Sequence, residues 1–360
     1  MATTYKSFLN NDVANTRTML HEAIPITGTI VSGTYYIAST TTQTNIKRYS
    51  HGMFESVFDY PHLSSSANHI FDLSVGYSNA SSLSSSNFTQ NNKKINIYNQ
   101  MAQVLAGHDA TGSIRRFDQN GDFADGGTKH DEVFFINYSR LLVKDEIKKG
   151  SWTLAVATGG SVSNTISGAV QGGNVKTLGD YGAASSYKTN SPAGEYGIIY
   201  TSSATPRGDG TSGVGLIYYQ AGVCVLTASI FKGTFGPDAP ASSVNFGSVD
   251  ECITGSLITS SCEGFRHRWV DNDFNNTTEL NSTVYFCRAN HNEYNYSSNP
   301  TYVSGSKIRV KNQTIDQPVS YITTVGLYSA DNELLAVAKL SEPLKKSPDQ
   351  ELTIRVRLDY

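Results

Sequence analysis

The chain has 360 residues, enough to bury a sizeable core and to form more than one domain. Its net charge is only −3 and no long basic run occurs, which argues against a nucleic-acid-binding surface. Charged residues make up 16%, and Gly (31), Tyr (21) and abundant Ser, Thr and Asn take their place, a composition that favours strands and long polar loops over surface helices.

In chain order, the polar N-terminal stretch lacks the apolar core of a signal peptide, which predicts synthesis in a cytoplasm without export by the usual route. The triplets Asn281-Ser282-Thr283 and Asn295-Tyr296-Ser297 then read as chance matches to a glycosylation signal. Residues 13–22 predict a short helix, and 26–38 a strand around Gly28 and Gly33. Residues 51–78 are rich in aromatics and hold His51, His62 and His69, without H-x-H or H-x-x-x-H spacing, so these histidines are expected to pack among Phe54, Phe58 and Tyr60. A Ser/Asn-rich loop at 79–93 precedes the clearest helical pattern, Ile95, Tyr98, Met101, Ala102 and Leu105, ending near Gly107. Residues 108–131 predict a polar loop, 132–142 a strand, and 144–149 a helical turn stopped by Gly150. Trp152, Leu154 and Val156 alternate as a strand.

Residues 158–195 lose their apolar runs and predict a long excursion or boundary. Strands resume at 196–201 and at 214–231, the latter split by Gly222 into two buried strands. A loop with Pro237 and Pro240 covers 233–250, and short strands are expected at 283–289 and 307–311. Segments 320–328, 334–340 and 351–360 predict a terminal β-meander, with turns at 329–333 and 343–349. In its last strand Leu352, Ile354, Val356, Leu358 and Tyr360 share one face, and Glu351, Thr353, Arg355, Arg357 and Asp359 the other. That alternation predicts a terminus built into a sheet. The fold class is mainly β with minor α, in β-sandwich or meander domains with long polar loops. The division expected is an N-terminal mixed domain 1–157, a Gly/Ser-rich boundary 158–195 and a C-terminal β domain 196–360.

Chemistry-bearing patterns are sparse. Asp118, Asn120 and Asp122 place oxygen ligands at alternate positions, as a calcium loop does, but the glycine falls at Gly121 and no glutamate closes the loop. A solvated turn at Asn120-Gly121 accounts for the same residues, so no metal is expected there. Cys224, Cys252, Cys262 and Cys287 include no C-x-x-C pair, and a cytoplasmic origin predicts free thiols, although Cys252 and Cys262 are spaced to close a loop. Carboxylate neighbours such as Glu55/Asp59 and Asp131/Glu132 have nothing to single them out. The glycine-rich run 208–213 lacks the lysine of a phosphate loop and reads as a hairpin tip. No catalytic residue and no cofactor is expected, and no segment reaches the ~20 apolar residues of a membrane-spanning helix. The cluster Tyr285, Phe286, Tyr294, Tyr296 and Tyr302, with Arg288, His291 and Asn292 interleaved, suits either a packed β-layer or an interface to protein or sugar.

Residues 321–360 resemble the C-terminal sheet signature of phage tail and baseplate proteins. The pieces are Val325-Gly326-Leu327-Tyr328, Asp331-Asn332-Glu333, the run Leu334 to Lys339, the link Pro343 to Lys346 and the strand 351–360. A similar run occurs in the collar-like attachment domains of tail-fibre proteins. The final strands and the length also resemble the baseplate wedge component that anchors a long tail fibre in T-even-type contractile phages. The stretch 285–300 resembles virion structural proteins of T-even-like cyanophages, whereas 1–280 share only a β-rich, polar character. The resemblance implies a virion structural protein, assembled in the host cytoplasm into a tail, with other tail or baseplate proteins and copies of itself as partners. It implies no turnover, nucleic acid or membrane. The interface candidates, from the tyrosine cluster and the terminal strands together, are Tyr285, Arg288, Tyr294, Tyr296, Tyr302, Leu327, Tyr328 and Tyr360. A receptor-binding fibre protein whose tyrosine-rich loops hold glycan, or a neck or capsid-associated structural protein, are the alternatives.

Overall fold

A computed structural model describes residues 5–31, 36–37, 42–124, 126–158, 175–201, 213–231, 235, 246–297, 299–305, 307–308, 315 and 317–360. Its strands are β1 (Val13–Thr27), β2 (Tyr36–Ile37), β3 (Thr42–Gln43), β4 (Ile46–Arg48), β5 (Glu55–Phe58), β6 (His69–Tyr77), β7 (Glu132–Tyr138), β8 (Glu146–Ile147), β9 (Thr153–Ala157) and β10 (Val175–Gly179). They continue with β11 (Tyr196–Ile199), β12 (Gly215–Tyr218), β13 (Val223–Thr227), β14 (Trp269–Ala289), β15 (Val303–Ser304), β16 (Lys307–Ile308), β17 (Ser320–Tyr328), β18 (Leu334–Lys346) and β19 (Leu352–Asp359). The fold is mainly β with minor α. It divides into two compact units, Leu20–Thr278 and Met1–Met19 with Glu279–Tyr360, and β1 and β14 carry the chain from one to the other. The sequence boundary at 158–195 falls inside the first of these.

In the larger unit an antiparallel sheet runs β11-β12-β13-β7-β6-β5-β4. Its central strands are buried on both faces, which is why β13 reads as an unbroken apolar run and not as an alternation. Successive side chains of β7 take opposite sides. Phe135 meets Tyr98 of the Asn91–Leu105 helix, with ring centroids 6.5 Å apart, whereas Phe134 stacks on Phe265 of the Ile258–Arg266 helix at 4.8 Å. Helices therefore cover both faces of the sheet. The approach of the first helix is set by Gly76 of β6, where a Cβ would stand 2.7 Å from the Lys94 carbonyl oxygen. On the Phe134 side a second layer, β1-β14-β9-β10 with β8, brings Trp269 flat against Phe71 at 5.0 Å. Tyr138 ties the layers: its hydroxyl accepts from Trp152 Nε1 and donates to Asn272 Oδ1, each at 2.9 Å.

Several elements differ from the sequence reading. Residues 13–22 are strand, not helix, because pairing with β14 overrides a weak local preference. The strand expected at 26–38 ends at Thr27 and turns into a Gly28–Val31 helix. The helical turn expected at 144–149 instead lies at Arg140–Val143, stopped by Lys144 at φ +60°, and Glu146–Ile147 pairs with β14. Helices Val249–Gly255 and Ile258–Arg266 are additional; the first is capped by Ser248, whose Oγ accepts from the Glu251 amide at 3.2 Å. Most of the proline loop at 233–250, the run 208–212 and part of 307–311 lie outside the described residues. All four cysteines are free, Cys252 and Cys262 included.

The smaller unit corrects the expected meander. β17 and β18 form a hairpin, but β19 leaves it and pairs with β14 over eight residues, Leu352↔Ala289 through Asp359↔Ser282. An alternating strand gains more from a long partner with a buried face than from a hairpin whose outer surface is wet. The alternation itself holds: Val356 is buried, whereas Thr353, Arg355, Arg357 and Asp359 are exposed. Within the hairpin Ile322 pairs with Leu344 and Thr324 with Lys339, so β18 carries a bulge that includes Pro343.

Candidate interface cleft

A ligand-sized concavity belongs to the smaller unit. It has a volume of about 610 Å³, and Tyr5, Phe8, Arg288, Tyr294, Leu327 and Tyr328 are among its walls. That is within the range of ligand-sized clefts. Three pieces of chain build it: the segment from Tyr5 to Asp12, the end of β14 with Ile354 of β19, and β17 with the turn that follows.

Each piece is fixed by specific contacts. Asp12 is almost fully buried; it accepts from the Leu9 amide at 3.0 Å and from Arg288 Nε at 2.5 Å. These bonds hold its carboxyl below the usual range, the amide having the larger effect. Lys6 pairs with Glu293 at 2.5 Å. Phe8 lies 5.4 Å from Tyr285, and Tyr5 4.6 Å from Tyr328, ring centre to ring centre. Gly326 makes room for the Tyr328 ring: a Cβ there would come 2.9 Å from Tyr328 Cε2. The loop after β14 is held from beneath by Lys346, whose buried ammonium donates to Asn295 Oδ1 at 2.8 Å, the Ser347 carbonyl at 3.0 Å and the His291 carbonyl at 3.3 Å. Tyr294, in that loop, has φ +56°, uncommon for a residue with a side chain, and its carbonyl accepts from Ser320 Oγ.

Of the eight residues singled out in the sequence, Arg288, Tyr294, Leu327 and Tyr328 line this cleft, and Tyr285 meets Phe8. Tyr296 is 57% exposed, Tyr302 ends the short Pro300–Tyr302 helix, and Tyr360 is 76% exposed with its hydroxyl 3.0 Å from Thr283 Oγ1; none of these three is on the cleft wall. Sequence reasoning missed Tyr5, Phe8 and Asp12, which stand in a polar segment without periodicity.

In the larger unit most of the calcium-like loop's oxygens are engaged within the protein, Asp118 Oδ1 being buried without a hydrogen-bond partner. Lys129 Nζ sits on Asp118 Oδ2 at 2.6 Å. Asn120 donates to Asp122 Oδ2 at 2.8 Å, and Asp122 Oδ1 accepts from the Ala124 amide at 2.8 Å. Among the described residues no group of His, Cys, Asp or Glu is placed to hold a metal. Several other charged and titratable groups of this unit are buried. Glu55 lies between Arg266 Nε at 3.0 Å and Arg48 Nε at 2.7 Å, and Arg266 also donates to the Val31 carbonyl and to Gln43 Oε1, both at 3.0 Å. Asp180 accepts from the Gly150 and Trp152 amides and from the Tyr219 hydroxyl, yet burial raises its carboxyl to about 6. Burial lowers His130 to about 4 and His267 to about 3, aided for His267 by Arg266 and Arg48.

Comparison with known proteins finds no matching protein family, no similar curated protein and no similar solved structure. Among the described residues no helix is long and apolar enough to cross a membrane.

Proposed function

We propose that this chain is a structural protein of a phage tail, a baseplate wedge or adaptor component that joins tail parts and anchors fibres by assembly without turnover. The observation that carries this reading is the β17–β18 hairpin. Leu334, Leu335, Val337 and Tyr321 are each more than half exposed. A two-stranded hairpin is at best marginally stable in water by itself, and clustered exposed hydrophobes mark association surfaces. The same residues carry the resemblance to phage tail and baseplate proteins.

The test is the composition of an intact particle. In gradient-purified virions, quantitative mass spectrometry should find this chain at a fixed multiple of the tail symmetry. Its absence from the particle sinks the reading, and a copy number matching the neck or capsid moves it there.

A further inference from the structure

We infer that the free edge of β17 is a docking site for an extended peptide segment of another protein, which enters the cleft and adds to the hairpin as a third strand. The inference deepens the assembly reading and rests on it only for the source of the segment.

The argument begins with backbone groups. β17 pairs with β18 along one edge, and no described strand covers the other. Five consecutive residues, from Thr324 to Tyr328, all line the cleft. Alternate side chains of a strand point to opposite faces, so an unbroken run of lining residues means that the strand turns its edge to the space. Unpaired amides and carbonyls at that edge are a template for a further strand.

The distribution of charge says which edge is meant. Natural edge strands are protected from pairing by lysine, proline, charge or bulges. β18 has Lys339, Glu342, Pro343, Lys345 and a bulge. β19 has Arg355, Arg357 and Asp359. β17, Ser-Tyr-Ile-Thr-Thr-Val-Gly-Leu-Tyr, has no charge and no proline. The undefended edge is therefore the one that opens on the cleft.

The cleft also selects the occupant. Its charged side chains are committed to each other, Arg288 to Asp12 and Lys6 to Glu293, so a charged ligand finds no free counter-charge among them. Its walls offer Tyr5, Phe8 and Tyr328 to side chains at alternate positions of an incoming strand. The segment that fits is uncharged over its central residues and rich in β-branched or aromatic side chains. A third strand would also supply what the two-stranded hairpin lacks for independent stability.

The probe is a nine-residue peptide with the sequence of β17, offered to the full-length protein while amide hydrogen exchange is read across 320–328. The peptide is expected to slow exchange at β17 at least tenfold. The same peptide N-methylated at every residue should have no effect, because neither of its edges keeps an amide to donate to the ladder. Thr324→Lys places a charge on the exposed edge and should abolish protection without lowering the melting temperature. No protection at millimolar peptide overturns the inference, as does equal protection by the N-methylated form. Slowed exchange at β17 in the protein alone, rising with its own concentration, overturns it in favour of a second copy. A neutral oligosaccharide panel that binds where the peptide does not, with loss on Tyr294→Ala, overturns it in favour of glycan. None of these outcomes alters the chain's copy number in a particle, so the assembly reading stands or falls separately.

Discussion

In the 20–278 unit Arg266 and Glu55 meet with both side chains fully enclosed, whereas in the unit that contains the hairpin Leu335 is 67% exposed. The first unit encloses this charge pair completely. The second leaves hydrophobes and a strand edge unpartnered. Scattered exposed hydrophobes such as Leu63 occur in the larger unit too, but on the proposed reading it is the hairpin's exposed side chains, beside an uncovered strand edge, that await a neighbour.

The largest expected effect tests the enclosed pair. Glu55→Gln leaves the Arg266 guanidinium without its buried counter-charge and should destabilise the protein by about 3–5 kcal/mol in chemical denaturation. A loss under 1 kcal/mol would mean that Val31 and Gln43 alone satisfy the arginine. Next, Val356→Asp places a carboxylate at the one well-buried position of β19 and should cost about 2–3 kcal/mol, with loss of the strand visible as faster amide exchange over 352–359.

Acid offers a third test. His130 and His267 are held neutral, at about 4 and about 3, so the unfolded chain binds more protons below pH 6.5 and stability falls as pH drops toward 4. Asp180, raised to about 6, acts in the opposite sense, because its folded form takes up a proton first. Among these three groups, between about pH 6 and 4, the balance is one destabilising group, on the order of 1.4 kcal/mol for each pH unit. Replacing His267 by Phe should flatten the slope of stability against pH; an unchanged slope places the titration elsewhere. The smallest effect on stability belongs to the hairpin. Leu335→Thr should leave stability within about 0.5 kcal/mol and, on the assembly reading, reduce incorporation into particles. A large loss of stability would show that Leu335 belongs to a core after all.

What was legible in the sequence follows the same division. Strong periodicity was read correctly where burial enforces it, as in the Asn91–Leu105 helix, in the pair of strands around Gly222 and in the alternation of β19. The failures lie where long-range pairing decides. β1 is a strand because β14 runs beside it, and nothing in Val-Ala-Asn-Thr-Arg-Thr says so locally. β19 follows β18 in sequence but pairs with β14. Half of the interface residues named from sequence reached the cleft because β14 and β17 both contribute to it. Tyr5 and Asp12 escaped notice because they meet Tyr328 and Arg288 from the other end of the chain.

The bulge in β18 has a kinetic meaning as well as a geometric one. A hairpin with two open edges can template strand after strand, and such growth has no natural end. Here Pro343 and the displaced residues around it spoil one side for continuous pairing, while the other carries no charge and no proline. If a strand adds as inferred, addition is limited to a single side, and a strand seated there leaves the bulged edge as poor a template as before. On the proposed reading, the hairpin can be joined once and then stop, which is the condition for a particle of defined size instead of a fibre.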